Sequence, residues 1–104
     1  MQRLAFKMIL NQGKKAEYRK RHDEIWPELI KLLHDTGVQD YSIFLDEESH
    51  LLFATLLIEE PLKLKELPSH PVMQKWWSHM KDIMHTHEDN SPVSIPLESV
   101  FYMP

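Results

Sequence analysis

A phenol and an imidazole in the sequence stand at a spacing that suits proton chemistry. Tyr18 and His22 are four residues apart, so on a helix they project from the same face. Side by side, the two groups can hold a polyhydroxylated ligand and transfer protons near neutral pH. Such pairs also occur on ordinary helix surfaces with the histidine merely solvated, so the spacing alone does not establish a site.

Three further aromatic side chains are candidates for a ligand site. Tyr41 opens a strand, where tyrosines usually pack in the core with the hydroxyl at the edge. Trp76 and Trp77 are adjacent on a helix, so their side chains diverge by about 100°. One of them can fill the core while the other stands at a pocket wall, where an indole suits the apolar face of a sugar. The alternative is that both are core anchors.

A histidine-rich stretch raises the question of a metal site. His85 and His87 stand beside Glu88 and Asp89, and His79 precedes them. The chain has no cysteine, and this spacing matches no common zinc motif. We therefore expect a polar loop here and no bound metal.

The composition of the 104 residues excludes several kinds of enzyme. Without cysteine there is no thiol nucleophile and no disulfide framework. Gly13 and Gly37 are the only glycines, which argues against a glycine-rich phosphate loop, and no nucleophile-elbow or dinucleotide motif is present. An enzyme with this sequence would perform simple proton transfer without a cofactor.

Charge and hydropathy point to a small-molecule ligand. The formal net charge of −4 argues against the basic surface that nucleic-acid binding requires. No apolar run is long enough to cross a bilayer, and the N-terminus is too short and too charged for a secretory signal. Together with the lack of cysteine, these features predict a cytoplasmic location and no membrane partner.

Hydrophobic periodicity predicts the elements that would position these side chains. Residues 3–10 alternate, with Leu4, Phe6, Met8 and Leu10 on one face, as in a half-buried strand. Helical spacing runs over residues 14–36, with a bend or restart expected after His22 because of Pro27, and with Gly37 as the stop. The remaining expectations are strands at 40–46, 51–59 and 97–103, short helical turns at 61–67, a helix at 71–84 and a loop at 86–96.

This element order is β-α-β-β-α-β, the split arrangement of a ferredoxin-like domain. We expect one α+β domain over residues 1–104, with an antiparallel sheet and its helices on one face. The strands carry bulky side chains on both sides, so the other sheet face needs cover. A second copy of the chain would provide it, which predicts a homodimer of the dimeric α/β barrel type.

The same residues resemble a known family. The runs EYRKRHDEIWPEL (17–29), YSIFLD (41–46) and QKWW (74–77), with DNSPVS (89–94) and the final VFYMP, are similar to the L-rhamnose mutarotase family over essentially the whole chain. The resemblance implies a small dimeric ferredoxin-like barrel that interconverts the α and β anomers of L-rhamnose without a cofactor.

The resemblance also assigns roles to residues. It places the family's proton donor on His22 and its sugar-binding positions on Tyr18, Tyr41, Trp76 and Trp77, all with the expected residue type. Four further histidines, His70, His79, His85 and His87, lie outside the motif and receive no role.

The implied reaction opens and recloses a pyranose ring. One group protonates the ring oxygen while another removes the proton of the anomeric hydroxyl, and a histidine suits the first step. A tyrosine, an acid or a bound water could act as the base. Two alternatives give different observations: a non-catalytic sugar-binding dimer would bind without accelerating exchange, and a small cofactor-free monooxygenase would consume oxygen with an aromatic substrate.

Overall fold

A computed structural model describes all residues from Met1 to Pro104. The helices and strands, in chain order, are β1 (Gln2–Ile9), α1 (Lys15–Asp23), α2 (Pro27–Thr36), β2 (Val38–Asp46), β3 (Leu51–Ile58), a 3-10 helix (Pro61–Ser69), α3 (Pro71–Met80) and β4 (Ile95–Pro96).

The four strands form one antiparallel sheet in the order β2-β3-β1-β4. The two long central strands pair along their full length, with Gln2 opposite Ile58 and Ile9 opposite Leu51. This is the strand order of the ferredoxin-like fold, so the predicted α+β class is confirmed.

The helices pack on one face of the sheet, also as predicted. Alternate residues of β3 are fully buried, among them Leu52 and Ala54, and they lie beside Met8 of β1 in one core. The helices contribute Leu29 from α2 and Met73 from α3 to the same core. The inward-facing residues of the strands, which recur at every second position, thus pack against the apolar faces of α2 and α3.

The predicted restart after His22 is present. The helical run breaks at residues 24–26, and α2 begins with Pro27 in its first turn, where proline costs no hydrogen bond. Trp26, the residue before the proline, is extended with ψ of 134°. At the C-terminal end of α2, Gly37 adopts the left-handed conformation, with φ of 99°. Its N–H donates a hydrogen bond to the backbone carbonyl oxygen of His34.

The prediction of a last strand at residues 97–103 is wrong. The final strand is the short β4, within the stretch assigned to a loop, and the residues after it have no regular structure. Pro96 ends the pairing with β1 because proline has no N–H to donate; only the Leu97 N–H, bonded to the carbonyl of Ala5, continues it.

Two helix ends also differ from the sequence expectation. α3 stops at Met80 rather than residue 84, because a turn follows and Met84 pairs instead with Leu10 beyond β1. The 3-10 helix runs on through Pro68 to Ser69. The longest helices have ten residues, and none meets the length and hydropathy that a membrane crossing requires.

Candidate functional site

A cavity of about 1000 Å³ lies between the helices and the sheet. All five side chains singled out from the sequence line it: Tyr18, His22, Tyr41, Trp76 and Trp77. They come from α1, β2 and α3, elements that are far apart in the chain. The volume is at the upper end of the range found for small-molecule sites, about 300–1000 Å³.

Tyr18 and His22 form the centre of this site. Their rings stack with centroids 4.2 Å apart and planes inclined by 27°. His22 also meets the ring of Trp76 edge-on, with centroids 5.4 Å apart. The spacing of four residues on α1 therefore gives the shared face predicted for the pair, and α3 supplies the third ring.

The hydrogen bond of His22 fixes its tautomer. Its Nδ1 lies 2.9 Å from the backbone carbonyl oxygen of Tyr18. A carbonyl only accepts, so Nδ1 carries the proton and donates it. In the neutral ring, Nε2 is then the nitrogen with a free lone pair.

Burial sets the protonation state of this imidazole. The partly buried ring has a pKa below the ordinary value of 6.5, chiefly because the charged form would lose its hydration. The bond to the Tyr18 carbonyl and the nearby Asp23 carboxylate oppose this effect and do not overcome it. Near neutral pH, His22 is therefore mainly a proton acceptor.

The two phenols are not bases under these conditions. Burial, with a smaller contribution from Tyr41, raises the pKa of Tyr18 far above its usual value of 10.0. Burial raises the pKa of Tyr41 to about 12. Tyr41 is 39% exposed and lines the cavity. Both hydroxyls stay protonated and can donate hydrogen bonds to ligand oxygens.

A β-bulge turns Tyr41 toward the cavity. In the pairing of β2 with β3, Gln39 lies opposite Leu57 and Ser42 opposite Thr55, so β2 contains one extra residue between these pairs. Asp40, within the bulge, has a left-handed φ of 50°. Strict alternation from Val38 would have placed Tyr41 on the outer sheet face, whereas here its ring is 6.3 Å from Phe6.

The two tryptophans differ in burial. Trp76 is 7% exposed and belongs to the core, whereas Trp77 is half-buried and packs at the edge of that core. Both line the cavity. An aromatic wall with one fixed and one more accessible indole suits the apolar face of a small ring-shaped ligand.

Sequence reasoning missed the side chain that supports Trp76. Trp26 crosses it edge-on at 5.1 Å and also packs on His79, at 5.5 Å. The signal was a tryptophan directly before Pro27, at the start of an amphipathic helix. His79 lies outside the cavity and is a packing partner of these indoles.

The loop at 89–94 supplies polar groups at the cavity that were not assigned from the sequence. Ser91 and Ser94 line the cavity beside Pro92. Asp89 orders the loop by accepting hydrogen bonds from the N–H and the hydroxyl of Ser91, at 3.0 and 2.5 Å. Asp and Ser favour such local bonds in turns, which explains how the loop holds its shape.

No group of three or more metal-ligating side chains is arranged to hold an ion. Among the groups that line the cavity are an imidazole that can accept a proton, two phenols that can donate hydrogen bonds, and two indoles. These groups suit a neutral, hydroxylated ring and reversible proton transfer to its oxygens.

Comparison with known proteins agrees with this chemistry. A family model described as L-rhamnose mutarotase matches residues 3–103. A protein of Brucella anthropi named L-rhamnose mutarotase is 60% identical over 103 residues, which cover 99% of this chain and 97% of that one.

Two solved structures are also similar. The crystal structure of an L-rhamnose mutarotase from Formosa agariphila superposes with a TM-score of 0.93 at 53% identity, covering both chains completely. A dimeric ferredoxin-like protein from an uncultured marine organism shares the fold alone, with a TM-score of 0.56 at 14% identity over 97% of this chain and 96% of that one. The chain belongs to the L-rhamnose mutarotase family.

Proposed function

We propose that the cavity binds L-rhamnose and interconverts its α and β anomers, with His22 as the proton-transferring group. The enzyme is an isomerase of the mutarotase class, as the family indicates. The observation that carries the proposal is the convergence of Tyr18, His22, Tyr41, Trp76 and Trp77 on one cavity.

In this mechanism a single imidazole serves both oxygens of the anomeric carbon. Neutral His22 takes the proton of the anomeric hydroxyl on Nε2, and the electron pair left on that oxygen forms the C1 carbonyl. The bond from C1 to the ring oxygen breaks, and the imidazolium donates its proton to that oxygen. His22 is thus the proton donor expected from the resemblance, and its proton comes from the sugar. Reclosure on the other carbonyl face reverses these transfers.

The remaining groups would bind and orient the ring. Tyr18 and Tyr41 donate hydrogen bonds to sugar oxygens, which their raised pKa values support. Trp77 provides a more accessible surface for the apolar face of the sugar, and Trp76 contacts the imidazole in a T-shaped arrangement. Because mutarotation already proceeds in water, positioning together with proton transfer is sufficient catalysis.

Anomer exchange measured by NMR tests the function directly. Saturation transfer between the two anomeric protons of L-rhamnose is expected to increase with the concentration of the protein, and other deoxy- and aldohexoses define its specificity. Saturable binding of L-rhamnose with exchange no faster than in buffer would contradict the proposal and indicate a sugar-binding protein.

The pH dependence of the reaction follows from the protonation state of His22. Because the pKa is lowered from 6.5 and the neutral ring starts the cycle, kcat/KM for exchange should rise with pH through a value below 6.5 and level off near neutrality. The uncatalysed exchange at each pH is subtracted. An activity that falls as pH rises through the same range would show that the protonated form starts the reaction.

We further propose that the protein is a cytoplasmic homodimer. The outer sheet face carries Phe44, which is 65% exposed, beside Phe53. The chain end adds Val100, Phe101 and Met103, each more than 70% exposed. Apolar surface of this extent usually marks an interface, and a second copy related by twofold symmetry would cover it.

Sedimentation equilibrium tests the dimer. The expected mass is twice the chain mass of 12.4 kDa. Phe44→Glu should shift the protein toward the monomer, because it places a charge in the proposed interface. Glu48→Gln, an exposed change in the turn after β2, is the matched control. A monomeric wild-type protein at micromolar concentration would contradict the proposal.

A further inference from the structure

The helix that carries His22 has little apolar surface with which to hold its place. α1 has the sequence KAEYRKRHD, and Tyr18 is its only buried residue. Helices in proteins are usually fixed by an amphipathic apolar face rather than by their own propensity. The position of His22 therefore depends on the other contacts that α1 makes.

The strongest of these contacts is made by Arg21, the neighbour of His22. Its Nη1 and Nη2 donate to the two carboxylate oxygens of Asp82, at 2.8 and 3.1 Å. Nη1 also donates to the backbone carbonyl of His79, at 2.5 Å. The side chain of Arg21 is only 14% exposed, although Asp82 is 64% exposed. A bidentate guanidinium–carboxylate pair fixes direction as well as distance.

Both acceptors belong to the end of α3. His79 is in the last turn of the helix, and Asp82 lies in the turn that follows it. The Asp82 carbonyl in turn accepts a hydrogen bond from the side chain of Asn11, at 3.3 Å, just beyond β1. Arg21 thus ties α1 to the same helix that presents Trp76 to the imidazole.

We propose that the Arg21–Asp82 pair positions His22: it holds the imidazole against Trp76, and so keeps Nε2 within reach of the sugar oxygens. This inference rests on the proposed function. Neither residue lines the cavity, so neither touches the sugar. The pair fixes the distance between α1 and α3. It thereby fixes the position of Nε2 relative to a sugar that contacts Trp76 and Trp77.

If the ion pair had a purely structural role, its loss would affect stability and catalysis differently. Exposed ion pairs usually change stability slightly and leave catalysis alone. A positioning pair instead changes kcat more than KM, because misplacement of the reacting group affects the transition state more than binding. The effects on catalysis and on stability can therefore be separated by comparing a variant of this pair with a variant of an exposed ion pair that lies within a single helix.

The test compares Asp82→Asn with Asp35→Asn. Asp35 forms the Lys31 pair on α2, is similarly exposed at 61%, and does not line the cavity. For Asp82→Asn we expect kcat for anomer exchange to fall about 10-fold with little change in KM. Asp35→Asn should behave like the wild type. The ring protons of His22 should also lose part of their ring-current shift from Trp76 in the first variant only.

A second variant examines the geometry of the guanidinium. Arg21→Lys keeps the charge but loses the planar fork, so it should lower kcat in the same way. Equal kcat values for wild type, Asp82→Asn and Arg21→Lys would overturn the inference, as would an equal loss in Asp35→Asn. A wild-type protein without exchange activity would instead overturn the proposed function, so the two failures are distinguishable.

Discussion

Replacing His22 with glutamine is expected to reduce kcat for anomer exchange by about 10²- to 10⁴-fold, the range for loss of a general acid–base group. Glutamine is of similar length and favours a helix, so α1 should remain folded. Its amide cannot take up the anomeric proton near neutral pH. Since Tyr18 and Tyr41 keep their protons, no neighbouring phenol can replace the imidazole.

The matched control for this substitution is His70→Gln. His70 is exposed, precedes α3 and does not line the cavity, so its replacement should leave exchange unchanged. Far-ultraviolet circular dichroism and the urea midpoint establish that both variants are folded. Exchange at the wild-type rate in His22→Gln would remove the imidazole from the mechanism.

Replacing Trp76 with alanine is expected to have the largest effect on stability at the site. Trp76 is 7% exposed and contacts Trp26, His22 and His79. Truncating such a buried indole usually lowers the free energy of unfolding by about 3–5 kcal/mol. Activity should also fall, because the imidazole loses its T-shaped contact with this indole. Urea denaturation followed by circular dichroism measures the stability effect.

Trp77→Ala separates packing from ligand contact. Trp77 is half-buried at the edge of the core, so its truncation should cost less stability than that of Trp76. It should nevertheless raise KM, since this indole is the more accessible part of the cavity wall. If Trp77→Ala were the more destabilising of the two, the assignment of Trp76 as the core residue would be wrong.

Much of the fold could be predicted from periodicity because several long elements, among them β3 and α3, bury one face. The alternation of β3 and the apolar stripe of α3 indicate directly which residues lie in the core. The end of the chain could not be predicted in this way. Residues 97–103 alternate as a strand does, yet pairing depends on a neighbour with free backbone groups, and Pro96 ends the pairing at the sheet edge.

The five side chains singled out from the sequence line one cavity, but their geometry could not be predicted. The spacing of Tyr18 and His22 was sufficient to place both on one helix face, and the resemblance supplied the rest. The direction of Tyr41 depends on the bulge at Asp40, whose left-handed φ is not visible in the residue pattern. The proton on Nδ1 of His22 depends on a carbonyl that only the folded helix brings near.

In the proposed mechanism, Nε2 of His22 exchanges a proton with the oxygens of the anomeric carbon. A crystal structure with L-rhamnose bound tests this most directly. We expect Nε2 within about 2.6–3.2 Å of the anomeric or the ring oxygen, with Nδ1 still donating to the Tyr18 carbonyl. A sugar bound with its anomeric carbon away from His22, or an imidazole turned so that Nε2 faces protein atoms, would contradict it.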